Sequence, residues 1–427
     1  MAGAIGSDVD AYGGVKELYA DDKYYQERTA ASLFKFVRKA REGEVEFDGK
    51  RFNVSVQFQY NEAFGAKNDN EALPQADYPA EIFCQWSPKL HYATMEMTWF
   101  AATRGHKDGR VGGRYMDDYV KGTLISMNAG LSHALYSNGR GYIATVDTAT
   151  PGAGSFTVLT STRIRPGMKF DWYDSGLTTK RGTIQIDFKG VDRISKTPFI
   201  KSSFGTGVVP VGATSGDVLV VIGSLDAGEP SDGRFLAGFK RITDNSSAYG
   251  SLDPANYAWW RATNQNAGGG NITETLMQQQ YDLMYDITGD YPNKIVIRSN
   301  QKRLYLANFL NQRRFASASF ETGATNLSFN PLKMGEDEKN EKPTEGRILE
   351  DRDADLDEIL FWNDEMLCLA SDLYDGPTIA DEDGSEFRKR IGFDADQGFY
   401  RAWMNTVCYK RAAIGKISNL ATGTANI

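Results

Sequence analysis

Cysteine and histidine are scarce: three of each in 427 residues. Cys84, Cys368 and Cys408 lie far apart and are odd in number, so no disulfide framework can be read from them, and a reducing compartment is expected. None sits in a CxxC or other activating context. His91, His106 and His133 have no Cys, Asp or Glu neighbour at metal-ligand spacing, such as a pair four apart on a helix, and read as surface or interface residues. Long apolar runs are also missing. No window reaches 18 consecutive apolar residues, and the opening MAGAIGSDVDAYGG lacks a basic region followed by an apolar stretch, so a soluble chain with no export signal and no membrane partner is expected. Positive charge is in deficit, with 48 Lys and Arg against 56 Asp and Glu, a formal charge of -8. That excludes a chain whose main work is to grip nucleic-acid phosphates. No internal repeat and no Gly-x-Ser-x-Gly elbow occurs.

What is present is globular. Hydrophobic residues make up 41%, aromatics 12% and charged residues 24%, which rules out wholesale disorder. The length exceeds one ordinary core, so two or three packed units are expected.

Residues 1 to about 25 are small, acidic and Gly-containing, an arm without its own core. From Tyr25 to Arg41, with Leu33, Phe34 and Val37 on one face and Gly43 behind, a short helix is expected. In RFNVSVQFQY, Phe52, Val54, Val56, Phe58 and Tyr60 alternate without a miss against polar residues, the period of a half-buried strand. EIFCQW, ending in Trp86, and LHYATMEMTW alternate too, so the whole of 45–100 reads as one long two-stranded excursion. Such a ribbon spans roughly 33 Å for ten residues, and it is marginal alone in water because nothing covers its apolar face.

Next, Val120, Leu124, Met127, Leu131 and Leu135 build the best helix in the chain, ended by Asn138-Gly139; Gly122 and Gly130 within it point to close backbone approach. Residues 155–224 switch to short strands and tight turns, expected to form a small inserted β barrel or sandwich. TLMQQQYDLMYDITG follows as an amphipathic helix built on Leu276, Gln280, Leu283 and Ile287.

Residues 290–315 read as strand, turn and helix. The turn Arg298-Ser299-Asn300-Gln301 has no glycine, so it is taken as a capped helix docked on a sheet, with Arg298, Lys302, Arg313 and Arg314 exposed, rather than a phosphate loop. In the charged run 333–358, Asp351, Asp353 and Asp355 start like a calcium loop, but Leu356 replaces the turn glycine and Trp362 the bidentate glutamate; a solvated acidic loop is expected. Nothing selects a catalytic carboxylate pair. No catalytic residue, cofactor or metal site is assigned, and the chain reads as a scaffold.

The order of these elements resembles the major capsid proteins of tailed bacteriophages, with the HK97-like α+β fold. The likeness is carried by NEALPQADYPAEIFCQW with LHYATMEMTWFAATR, by DDYVKGTLISMNAGLSHALYSNGRG, and by ITGDYPNKIVIRSNQKRLYLANFL with CYKRAAIGKISNL. The resemblance implies an N-terminal arm (1–44), an extended β loop (45–100), a peripheral domain (101–154) with spine helix 112–138, the β insertion (155–224), an axial domain (225–394) and a C-terminal strand (395–427). It implies a structural, non-enzymatic protein of the virion, assembled in a bacterial host cytoplasm as pentamers and hexamers of an icosahedral shell. The implied partners are itself, a separate scaffolding protein, a portal, a decoration protein, and packaged double-stranded DNA contacted weakly and without sequence specificity. Phe52, Val54, Val56, Phe58, Tyr60 and Trp86 become the expected inter-subunit contact. The rival readings are an encapsulin-like cargo compartment of the same fold, and a carbohydrate-active hydrolase using Trp259 and Trp260.

Overall fold

The computed structural model describes residues 32–98 (except 70, 73, 74, 76 and 77), 111–225, 233–308, 328–329, 346–371, 388–389, 392 and 394–422. Residues 1–31 of the arm, His106, Arg313, Arg314 and the part of the charged run before 346 lie outside the described residues. Two units are formed. The first combines Met1–Phe36, Lys89–Leu236 and Ser371–Met404; the second combines Val37–Pro88, Ala237–Ala370 and Asn405–Ile427.

In the first unit the long helix is Val111–Leu135. It stops just before the expected Asn138-Gly139 because the chain tightens into a final turn, with Tyr136 and Ser137 N–H donating to the carbonyls of His133 and Ala134. Its last turns are buried nearly all round, His133 included, so this histidine is a core residue and not the surface one expected. The close approach expected at Gly122 and Gly130 is absent: among the described residues, a Cβ at either would meet nothing within 4 Å. The short helix is only Ser32–Phe36 within the described residues and does not extend to Arg41.

Lys89–Thr98 does not continue the ribbon. It pairs antiparallel with the last long strand, from Lys89 opposite Met404 to Thr98 opposite Ala395. Alternation told which face of this strand is apolar, but not which partner it would find, since one period-2 pattern fits either neighbour.

The β insertion is a six-stranded antiparallel sheet in the order Thr157–Val158, Tyr142–Thr148, Val218–Val221, Lys169–Tyr173, Lys180–Asp192, Thr197–Ile200. Hydrogen bonds from Phe156 N–H to Pro198 O, Val158 N–H to Lys196 O and Ile200 N–H to Gly154 O join the two edge segments, so the sheet nearly closes on itself. Closure removes exposed edges. Phe170, Trp172, Ile184, Ile186 and Leu219 fill the interior. The module starts at Tyr142, not at 155, because that strand lies inside the sheet beside Val218–Val221.

The second unit holds a six-stranded mixed sheet in the order Thr263–Asn266, Ile414–Ser418, Ile359–Trp362, Lys294–Ile297, Gly346–Glu350, Ser328–Phe329. The first two strands are parallel, as are Lys294–Ile297 and Gly346–Glu350. Ile359–Trp362 is buried at every position, which explains its unbroken apolar run. Helix Glu274–Thr288 begins at Thr273, whose hydroxyl accepts from Leu276 N–H, and ends at Gly289 with φ 73°. Its core face is Met277, Gln280, Tyr281 and Met284; Leu283 and Ile287, expected inside, are exposed. Two stripes satisfied helical spacing, and the one carrying two methionines and a tyrosine offered more surface to bury.

The glycine-free turn is used up by the fold. Arg298, buried rather than exposed, donates to Ala354 O at 3.0 Å; Asn300 and Gln301 side-chain amides reach Leu356 O at 2.9 and 2.7 Å. Gln301 also holds Ala421 O at 2.9 Å. The loop they grip is correspondingly not solvated: Asp351 and Asp353 are buried, and Asp355 pairs with Lys240 at 3.0 Å.

Candidate interaction surface

The ribbon of the second unit consists of Phe52–Gln59 and Ala80–Trp86, antiparallel, with Phe52 opposite Trp86, Val54 opposite Cys84 and Val56 opposite Ile82. These six side chains share one face because directly opposed residues in a pleated pair point the same way. The other face is polar apart from Phe83, opposite Ser55 and 60% exposed: Arg51 donates to Gln85 at 2.6 Å and Ser55 to Glu81 at 2.8 Å.

The chain itself covers the base of the apolar face. Trp86 stands edge-on to Tyr249, centroids 5.6 Å apart, and lies so close over Gly250 that a Cβ there would be 2.5 Å from the indole. Gly250 has φ 64°, so no side chain is accommodated either by space or by backbone. Gln85 N–H donates to Gly250 O at 3.1 Å, and Ser251 Oγ to Gln85 O at 3.2 Å. Behind them Tyr249 is buried, its hydroxyl donating to Thr406 O at 3.0 Å, while its carbonyl accepts from Trp260 Nε1 at 2.8 Å. Burial pushes this phenol far up, so it remains a neutral donor. The buried Arg411 guanidinium stands 5.6 Å over the Tyr249 ring and donates to Ile242 O at 2.7 Å.

Cover fails toward the tip. Phe52 is 1% exposed and Val54 7%; Val56 is half-buried, Phe58 41%, Tyr60 68% and Phe64, in the connecting loop, 97% exposed. Tyr78 on the returning limb is 80% exposed. The expected contact of six residues is therefore corrected. Phe52, Val54 and Trp86 are buried inside their own chain, and Val56, Phe58 and Tyr60 retain accessible surface. Alternation could not divide the set, since the period is uniform along the strand while cover comes from residues 249–260, far away in sequence. Phe64 and Tyr78 were missed because they lie in a Pro/Gly-broken stretch where no periodicity singles them out.

The remaining reactive groups are quiet. Burial pushes the Cys84 thiol up to about 12 and Cys368 up to about 11, and drives Cys408 higher still, against the nucleophile's need for a low thiol pKa. Among the described residues, no three His, Cys, Asp or Glu side chains converge in a metal-binding arrangement. No described helix is long and apolar enough to cross a membrane. Of the two tryptophans in the hydrolase reading, Trp260 is core and Trp259, partly exposed, stacks on Phe58.

No protein-family model matches the sequence, and no curated protein matches it. Among solved structures, the chain superposes on the capsid asymmetric unit of Cyanophage A-1(L) with a TM-score of 0.53 at 10% identity, covering 94% of this chain and 96% of that one. The holo-SrpI encapsulin complex of Synechococcus elongatus PCC 7942 gives 0.45 at 7% identity, covering 98% and 96%. The capsid of a native GTA particle gives 0.45 at 12%, covering 98% and 100%. The fold assignment rests on the first of these.

Proposed function

From the premise that this chain has the HK97-like capsid fold, we propose that it is a shell-building protein, the major capsid protein of a tailed bacteriophage. Its copies form pentamers and hexamers of an icosahedral shell around double-stranded DNA. The observation that carries this reading is the ribbon: its apolar face is anchored at the base by Trp86 and Tyr249, its own cover ends at the Phe58–Trp259 stack, and Tyr60 and the loop residue Phe64 beyond it are left uncovered. Exposed aromatics at the end of an anchored ribbon are a means by which one subunit can hold another. Burying each on a neighbour would contribute roughly 1.5–3 kcal/mol.

The mechanism is mechanical. A buried base fixes the direction of the ribbon, and its tip presents a sparse apolar surface that gains free energy only against a second copy. Shell growth then follows from repeating one heterologous contact, which closes when the rotation between copies allows it. The acidic net charge suits a lining that lets DNA move past, since a strongly basic wall would hold it by counterion release.

Negative-stain microscopy of the purified full-length chain tests the reading. Closed shells, tubes or capsomer rings are expected, and loss of these particles in a Tyr60→Ser/Phe64→Ser variant that still unfolds cooperatively. A wild-type chain that stays monomeric at every concentration would overturn it. Nuclease-protected double-stranded DNA in particles from infected cells separates the phage shell from a cargo compartment, which would hold protein instead.

A further inference from the structure

The β barrel is a basic part of an acidic chain. From Arg140 to Leu225 there are ten Lys and Arg against six Asp and no Glu, while the whole chain carries -8. Two of those pairs are spent inside the barrel: Lys180 on Asp171 at 2.7 Å and Arg181 on Asp217 at 2.9 Å. Lys169 and Lys201 are not. They flank Gln185 on the outer face: Lys169 is its register partner on one side, and Lys201 N–H donates to its carbonyl at 2.8 Å on the other. Each ammonium stands 4.9 Å from an aromatic centroid, Lys169 from Phe204 and Lys201 from Phe188. Phe188 is 67% exposed. This face therefore offers two cations set among aromatic surface, with no carboxylate partner for either among the described residues.

Helix Glu274–Thr288 has the opposite surface. It contains no Lys or Arg. Asp282 and Asp286 lie four apart on its exposed side, a like-charge spacing that destabilises a helix by a few tenths of a kcal/mol. Asp286 also sits in the last turn, at the negative end of the helix dipole. Beside them Leu283 and Ile287, again four apart, are exposed. A surface that combines unbalanced acid with uncovered aliphatic side chains is costly in a lone subunit, and a basic, apolar partner removes both costs together.

We propose that the outer barrel face around Lys169 and Lys201 docks on the Asp282–Ile287 face of this helix in a second copy of the chain. The proposal rests on the shell-building reading and specifies a contact within it, distinct from the ribbon. The two surfaces differ, so the contact is heterologous and repeats from copy to copy. Its charged component weakens with added salt.

A charge swap in the full-length chain tests it, with sedimentation velocity reading assembly and a thermal transition confirming folding. Lys169→Glu/Lys201→Glu and Asp282→Lys/Asp286→Lys should each raise the protein concentration needed for particles at least tenfold at low salt, and the four substitutions together should return it toward the wild-type value. The milder Lys169→Gln/Lys201→Gln should flatten the salt dependence of assembly. Wild-type particles with unchanged assembly in either reversed variant, or no recovery in the combined one, would overturn the contact and leave the shell reading standing. A wild-type chain that never assembles would remove both. If the lysine variants instead lose binding to duplex DNA while assembling normally, the face serves a polyanion and the proposed contact is wrong.

Discussion

Phe58 and Trp259 lie face to face, ring centroids 5.5 Å apart and planes 4° from parallel. Both are partly exposed, and the pair marks the point along the ribbon where cover by its own chain ends. A stack of this kind contributes about 0.5–1.5 kcal/mol beyond the area it buries. A double-mutant cycle on Phe58→Ala and Trp259→Ala, read by urea unfolding of the unassembled chain, should return a coupling in that range. A coupling near zero would mean that the stack does not steer the ribbon.

Gly250 sets the base. With φ 64° and the Trp86 indole 2.5 Å from a would-be Cβ, Gly250→Ala should cost about 2–4 kcal/mol, from left-handed strain and overpacking together. Trp86→Ala should cost about 3–5 kcal/mol by leaving a cavity. Were Trp86 an inter-subunit residue as the resemblance implied, its loss would weaken assembly and spare the monomer. The structure predicts the reverse, measurable as a drop in the monomer's denaturation midpoint.

His91 gives the fold an acid limit. It is buried against Phe235, centroids 4.9 Å apart, with Nε2 lacking a hydrogen-bond partner. Burial, with help from the Lys89 charge, pushes its pKa down to about 4 from 6.5. The unfolded chain thus binds the proton first as pH falls. The stability held by neutral His91 is complete above about pH 6.5 and is lost progressively toward pH 4, roughly 3 kcal/mol in all. In His91→Phe, which forfeits no hydrogen bond at Nε2, the difference in unfolding free energy between pH 7.5 and pH 4.5 should shrink by most of that amount. An unchanged pH dependence would place the sensitivity elsewhere.

Gly122 and Gly130 lie within the long helix with no atom of the described chain near a Cβ. Replacing either with Ala should stabilise the unassembled chain by about 1 kcal/mol, seen as a higher melting temperature. If the monomer gains while assembly weakens, a neighbouring subunit's backbone approaches the helix there.

Local periodicity is complete in the sequence, so the strand Phe52–Gln59, the long helix and the strand-turn-helix after Asp290 could be read from it. Pairing and cover could not. Lys89–Thr98 alternates as well as its neighbours do, yet its partner lies some 300 residues on, at Ala395–Met404. Helix Glu274–Thr288 carried two acceptable apolar stripes, and only the packing of Met277, Tyr281 and Met284 on the sheet chose between them. Polar groups behaved likewise. Arg298, Asp351 and Asp353 read as solvated because charge favours water, but hydrogen bonds supplied by distant backbone, such as Ala354 O for Arg298, make their burial tolerable. In the ribbon, alternation named one apolar face, and residues 249–260 decided how much of it remains exposed. A sequence states what each residue prefers over a few neighbours; which surfaces meet depends on contacts separated by hundreds of residues, and these exist only once the chain has folded.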